Sequence, residues 1–241
     1  MERTRNDDHF QSELSELRLL HLTDSALPIG ALAHSFGLES LVAQKLLDVA
    51  RLPEFLRGFL EEAGFLEAVF CRHAWRLPRC DDRGGFVEGW LLLNEQLSAL
   101  KPSRESRAGS ASLGKNFLTA LAALEGFGAI QDALQASKKD SGLIHHSAAF
   151  GLVAGLLQVP ENRTVLAYLH QSIASLVSAC QRLLPLGQSA ATRILWELKP
   201  AMIEIAARSS NCELEDAVCF MPLLDWGAME HPALMTRLFI S

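Results

Sequence analysis

Basic charge is scarce in this 241-residue chain, with 22 Lys and Arg against 28 Asp and Glu and a net charge of -6. An acidic surface repels polyphosphate. The densest basic clusters, Arg104 with Arg107 and Lys138 with Lys139, form no stripe, so nucleic acid is excluded as a partner. Long apolar runs are missing as well. The uncharged stretch from Ser141 to Pro160 is truly apolar only from Ala148 to Leu157, short of the roughly 20 residues that a membrane span needs. It reads as a buried core helix. A second stretch, Thr164 to Gln181, carries His170, Gln171, Ser172, Ser175 and Ser178 on one side, which makes it amphipathic.

Cysteine is few and odd in number: Cys71, Cys80, Cys180, Cys212 and Cys219, with no Cys-x-x-Cys pair. That pattern argues against a disulfide framework and for a reducing compartment, with each thiol a small buried hydrophobe. Alternating apolar and polar residues over strand length are absent, and there is one Tyr, so nothing calls for a sheet. The first residues, MERTRNDDHFQSEL, lack the apolar stretch of a secretory signal and the basic character of a transit helix. They read as a loose cytosolic lead-in over about residues 1–11.

What the chain does have is helical periodicity. Hydrophobic residues make up 49% and charged residues 21%, the balance of an ordinary globular protein. The spacing predicts helices from about Ser12 to Ala26, Ser35 to Leu47, Pro53 to Trp75, Phe86 to Leu100, Ser103 to Ala123, Phe127 to Ala136, Glu161 to Leu184 and Gln188 to Arg208. Turns fall at residues 27–30, at Pro78 to Gly85 and at Lys101-Pro102-Ser103. Leu52, Leu56, Phe59, Ala63, Leu66 and Phe70 form one buried stripe. Leu166, Leu169, Ile173, Leu176, Cys180 and Leu183 form the seam of a central helix or of one packed on a partner. The expected fold is an all-α, single-domain bundle of about eight to ten helices over residues 1–241. The polar loop Ser137 to Gly142 is the best candidate boundary, but the apolar stripes on its two sides need each other for burial.

Catalytic signals are few. His145-His146 point about 100° apart on a helix and cannot easily share an ion. His34 beside Ser35 has no G-x-S-x-G elbow and no evident acidic orienter. Leu113-Gly114-Lys115 lacks the strand and glycine of a phosphate-binding loop. No residue is assigned a catalytic, cofactor-binding or metal-ligating role. Near the end, Leu234, Met235, Leu238, Phe239 and Ile240 are a dense apolar cluster, which either folds back on the core or docks on a partner.

Three segments carry a resemblance. The first runs from Leu19 through Thr23-Asp24-Ser25-Ala26-Leu27-Pro28-Ile29-Gly30 to Ala33-His34-Ser35 and Gly37-Leu38-Glu39. The second joins His146 and Phe150-Gly151 to Arg182-Leu183-Leu184-Pro185-Leu186-Gly187-Gln188. The third is Pro222-Leu223-Leu224-Asp225, Ala228-Met229, His231, Arg237-Leu238-Phe239 and Ser241, and a looser match covers Arg107, Ser110, Leu113-Gly114 and Lys115. Together they resemble the UreF family of urease accessory proteins. The chain departs from the family pattern at Ala31, Leu32, Phe36, Ala108, Ser112, Lys115 and Pro232.

The resemblance implies an all-α cytoplasmic homodimer that bridges a UreD-type (also called UreH) protein and the GTPase UreG. That complex would act on apo-urease and regulate GTP-dependent nickel delivery. The resemblance also implies partner-binding roles for Asp24, Pro28, Gly30, His34 and Glu39, for Arg182, Gly187 and Gln188, and for Arg237, Leu238 and Phe239 in a docking tail of about residues 222–241. On this view no prosthetic group is bound, and nickel is handled by the complex. Two roles compete for the Arg182 corner. It either joins two core helices, with Gly187 left-handed and Arg182 capping a helix, or faces the GTPase together with Asp24 to Gly30. A nickel chaperone or helical metal-dependent enzyme using His34, His145, His146 and His231 directly is the alternative.

Overall fold

The computed structural model describes residues 2–79, 83–140 and 142–240, with side chains described from residue 9. Cys80, Ser141 and Ser241 lie outside the described residues. In chain order the helices are α1 (Glu2–Leu22), α2 (Leu38–Ala43), α3 (Leu52–Phe59), α4 (Phe65–Arg76), α5 (Arg83–Ala99), α6 (Arg104–Leu124) and α7 (Gly128–Lys139). Then follow α8 (His146–Leu156), α9 (Glu161–Leu183), α10 (Gln188–Glu197), α11 (Lys199–Arg208) and α12 (Pro222–Glu230). A π turn, Leu60–Gly64, makes α3 and α4 one rod, and α10 meets α11 at Leu198. Among the described residues there is no strand, and no helix is long and apolar enough to cross a membrane.

Local chemistry explains where these helices start and stop. Ser103 is buried and accepts a hydrogen bond from the Ser106 backbone N–H at 3.2 Å, which begins α6. Pro53 lies in the first turn of α3, where a missing N–H costs nothing.

Four expectations are corrected. The first helix begins at Glu2, taking in the segment read as a lead-in, and ends at Leu22. The second shrinks to Leu38–Ala43, because Phe36 and Gly37 hold φ of 50° and 93° and Lys45 holds 60°, all left-handed. The single helix expected over Gln188 to Arg208 breaks at Leu198, since Pro200 donates no N–H to the preceding turn. The stripe over residues 52–70 is redirected by the π turn: Leu60 and Gly64 become buried while Phe59 and Ala63 are only half-buried.

The core forms around α8, which is buried from His146 through Gly155 and is wrapped by α4, α6 and α9. A helix apolar on all sides can only be satisfied this way. Buried Arg72 of α4 donates to Ser209 Oγ at 3.0 Å and to Asn162 Oδ1 at 2.9 Å, tying the C-terminal end of α11 and the start of α9 to the centre. From that centre α9 runs outward to Arg182, while α2 packs against both α9 and α12. This arrangement brings the segment after α1 and the last residues to one corner.

Candidate functional site

The corner is built from the segment that follows α1. Thr23 Oγ1 donates to Leu19 O at 3.2 Å, and Asp24 Oδ1 accepts from the Ala26 N–H at 2.8 Å, turning the chain. Leu27 and Ile29 go inward while Asp24, Pro28 and Gly30 stay exposed. Gly30 has φ of 84°, and Asn116 of α6 fixes the turn by donating to Ile29 O at 3.1 Å. His34 is buried, its ring 5.7 Å from that of Phe36, and burial lowers its pKa. Gly37 meets α12 backbone to backbone: a Cβ there would lie 2.7 Å from Ala228 N and 2.8 Å from Leu224 O.

Onto this frame the tail is clamped. Glu39, at the start of α2, is 6% exposed. Its Oε1 accepts the Leu238 N–H at 2.6 Å, and its Oε2 accepts the Phe239 N–H at 3.2 Å and lies 2.8 Å from His231 Nε2. The Ile240 N–H adds a bond of 2.8 Å to Ala33 O. Arg182 closes the corner by donating to Leu32 O at 2.8 Å and Leu238 O at 3.5 Å, with its guanidinium 4.3 Å over the Phe239 ring.

The tail folds back on the core through Phe239 and leaves its other apolar residues outside. Phe239 is buried, whereas Met235, Leu238 and Ile240 stay exposed beside exposed Leu32. On α12 the same division follows the helical period, with Leu224, Gly227 and Ala228 inward and Leu223, Trp226 and Met229 outward.

Removing the Glu39 carboxylate leaves buried N–H groups and His231 without their acceptor. Glu39→Ala is expected to destabilise the chain by about 3 kcal/mol and to free the tail. Limited proteolysis would detect this as early cleavage after Met229, and continued protection of the tail would contradict it.

Of the residues singled out in the sequence, Glu39 and Arg182 each touch Leu238 and Phe239, and Asp24, Pro28, Gly30 and His34 lie on the adjoining segment. Gly187 and Gln188 are exposed at the start of α10 and make none of these contacts. Gly187 has φ of -70° and ψ of 157°, extended and not left-handed, so any residue type could hold that turn. Arg182 reaches across to Leu32 and Leu238 and does not cap its own helix. Arg237 is exposed and makes no hydrogen bond or ion pair among the described residues.

The histidines are dispersed. The His145 ring lies within hydrogen-bond distance of Ser98 Oγ at 2.7 Å and Ser110 Oγ at 3.1 Å, and His146 packs edge-on to Phe117. Burial lowers both pKa values to about 4. Among the described residues no group of three or more His, Cys, Asp or Glu could hold a metal ion.

The sequence did not reveal the Glu67–Lys101 ion pair beside these rings. Burial, the largest single influence, would raise the Glu67 pKa; the Lys101 ammonium, by charge and hydrogen bond, together with Ser147 and His145, brings the carboxyl below its usual range. The signal was Glu67 itself, a charge within the apolar run Leu66 to Phe70.

The described residues form an all-helical protein whose first loop and residues 238–240 are locked into one corner with an apolar rim. The chain belongs to the UreF family: the family model named UreF matches residues 46–199. Relatives named urease accessory protein UreF align over nearly the whole length. The one from Rhodopseudomonas palustris (strain BisB5) is 31% identical over 96% of this chain and 93% of its own. Those from Bradyrhizobium sp. (strain ORS 278) and Nostoc sp. (strain PCC 7120) are 31% and 28% identical over 95% and 99% of this chain, covering 94% and 98% of their own.

Proposed function

We propose that this chain is a non-catalytic scaffold for maturation of nickel urease, joining a UreD/UreH-type protein to a UreG-type GTPase on apo-urease. It acts in the cytoplasm as a homodimer, regulates GTP-dependent nickel delivery, and binds no prosthetic group; the nickel is cargo of the complex. Family membership supports the urease assignment. The observation that carries the scaffold role is the tail clamp: Glu39 and Arg182 hold the last residues by their backbone, leaving Leu238, Ile240 and Met235 free to present apolar surface.

Preorganising a tail in this way removes much of the ordering entropy a partner would otherwise have to offset. The UreD-type protein would take the tail and the outer face of α12. Asp24, Pro28, Gly30, Arg182, Gly187 and Gln188 would meet the GTPase, with buried His34 supporting that segment from beneath and Arg237 a polar anchor at the tail.

Arg182→Ala tests the corner. Its side chain is exposed, so the expected stability loss is about 1 kcal/mol, or a few degrees of melting temperature. GTPase recruitment, measured by pull-down, should fall by roughly tenfold. Undiminished recruitment by the folded variant would remove Arg182 and its neighbours from that interface.

A further inference from the structure

Methionine is rare in the chain and unevenly placed. Of the five, Met202 is buried in α11, whereas Met221, Met229 and Met235 all fall between the start of α12 and the end of the chain. Met221 is half-buried, Met229 is half exposed on the outer face of α12, and Met235 is fully exposed. The docking face proposed above therefore carries the most accessible thioethers among the described residues.

The backbone holds Met235 outside. His231 is buried with its Nε2 2.8 Å from Glu39 Oε2, and the Leu238 N–H donates to Glu39 Oε1 at 2.6 Å. One carboxylate thus fixes both ends of residues 231–238, and Met235 stands out between them. Met229 shares the outward side of α12 with Leu223 and Trp226, as the helical period requires.

An exposed thioether is open to peroxide. Its sulfur lone pair attacks one oxygen of hydrogen peroxide: an S–O bond forms and the O–O bond breaks. The departing hydroxide takes the proton from the oxygen left on sulfur and leaves as water, so the sulfide is oxidised by two electrons to a sulfoxide and the peroxide is reduced. The aliphatic neighbours Leu223, Leu238 and Ile240 offer no such lone pair. Cysteine competes poorly, because the thiolate is the reactive form and the four described cysteines are held as thiols, their pKa values raised first by burial, that of Cys219 to about 11. A sulfoxide is polar where the thioether was apolar. A partner that buries the new oxygen without a hydrogen bond loses roughly tenfold or more in affinity.

We propose that Met229 and Met235 are a peroxide-modification site, at which conversion to the sulfoxide weakens the apolar docking face. The inference rests on the reading of that face as the seat of the UreD-type partner. The undocked chain is the state at risk, because docking covers both sulfurs.

The test treats the full chain with dilute hydrogen peroxide and follows each methionine by peptide mass spectrometry. Met235 is expected to gain an oxygen first and Met229 next, with Met202 spared. Capture of the oxidised chain by an immobilised UreD-type protein should weaken roughly tenfold or more, and methionine sulfoxide reductase should restore it. A double variant, Met229→Leu with Met235→Leu, nearly keeps the side-chain volume; compared with itself before and after peroxide, it should show no change in capture. Restoration by dithiothreitol alone, or an equal loss in the double variant, would assign the effect to other residues and overturn the proposal. Undiminished capture of the oxidised chain would overturn it too, while leaving the docking reading intact. Failure of the untreated chain to be captured at all would sink both, so the two failures are told apart.

Discussion

Gly151→Val is expected to yield no stably folded protein. A Cβ at Gly151 would sit 2.1 Å from the Cys71 carbonyl oxygen and 3.1 Å from Ala74 Cβ, and one at Gly155, a turn further along α8, would sit 2.5 Å from Trp75 O. The two glycines let α8 and α4 meet backbone to backbone at the middle of the core. Added methyls have nowhere to go, because what they meet is the backbone of α4, which moves only if the close-packed interior around it moves too. The loss should reach or exceed about 5 kcal/mol, the far end of single-substitution effects and a large share of a typical domain's stability. Soluble yield and the melting temperature by circular dichroism are the readouts, with a fall of roughly 10–20 °C or more expected. Gly58→Ala is the control: nothing lies within 4 Å of its added Cβ, and near the end of α3, where the rod runs on into the π turn, it should be neutral or slightly stabilising. Equal melting of Gly151→Val and the parent would refute this account of the core.

Acid should unfold the chain well above the pH at which carboxylates alone would do so. His145 and His146 have folded-state pKa values lowered by burial to about 4 from an ordinary 6.5. Between those values the unfolded chain binds more protons than the folded one, so stability rises with pH through that window and is lost as pH falls through it. Each group contributes on the order of 3 kcal/mol across the window, from about 1.4 kcal/mol per pKa unit. Glu67, with its pKa held below the carboxylate range, adds its own loss at lower pH. Denaturant titrations between pH 7 and 4.5 should show the decline, and His146→Phe, which keeps a ring against Phe117, Phe150 and Tyr168, should flatten it. Constant stability over that range would contradict the neutral, buried state of both rings.

How far the sequence reaches depends on what kind of contact is being read. The long helices were legible because their ends carry local chemistry, such as Ser103, Pro53 and the bracketing Pro160 and Pro185, and because α9 buries a stripe at helical spacing. The Phe36-Gly37 reversal and the π turn were not, since periodicity does not encode a left-handed residue or an inserted one. At the corner, Glu39 and His231 are separated by 192 positions, and Arg182 reaches Leu32 across 150. Only resemblance singled out Glu39 and Arg182, whereas Phe239 also stood out in the apolar cluster; that one carboxylate would hold two tail N–H groups follows from tertiary packing alone.

The central claim is that the clamped tail is the docking element of a scaffold. The most direct measurement is a co-expression pull-down with a UreD-type protein and UreG, comparing the full chain with one truncated before Met235. The account predicts that the full chain retains both partners and that truncation loses the UreD-type protein. A soluble, folded full chain that retains neither would contradict it.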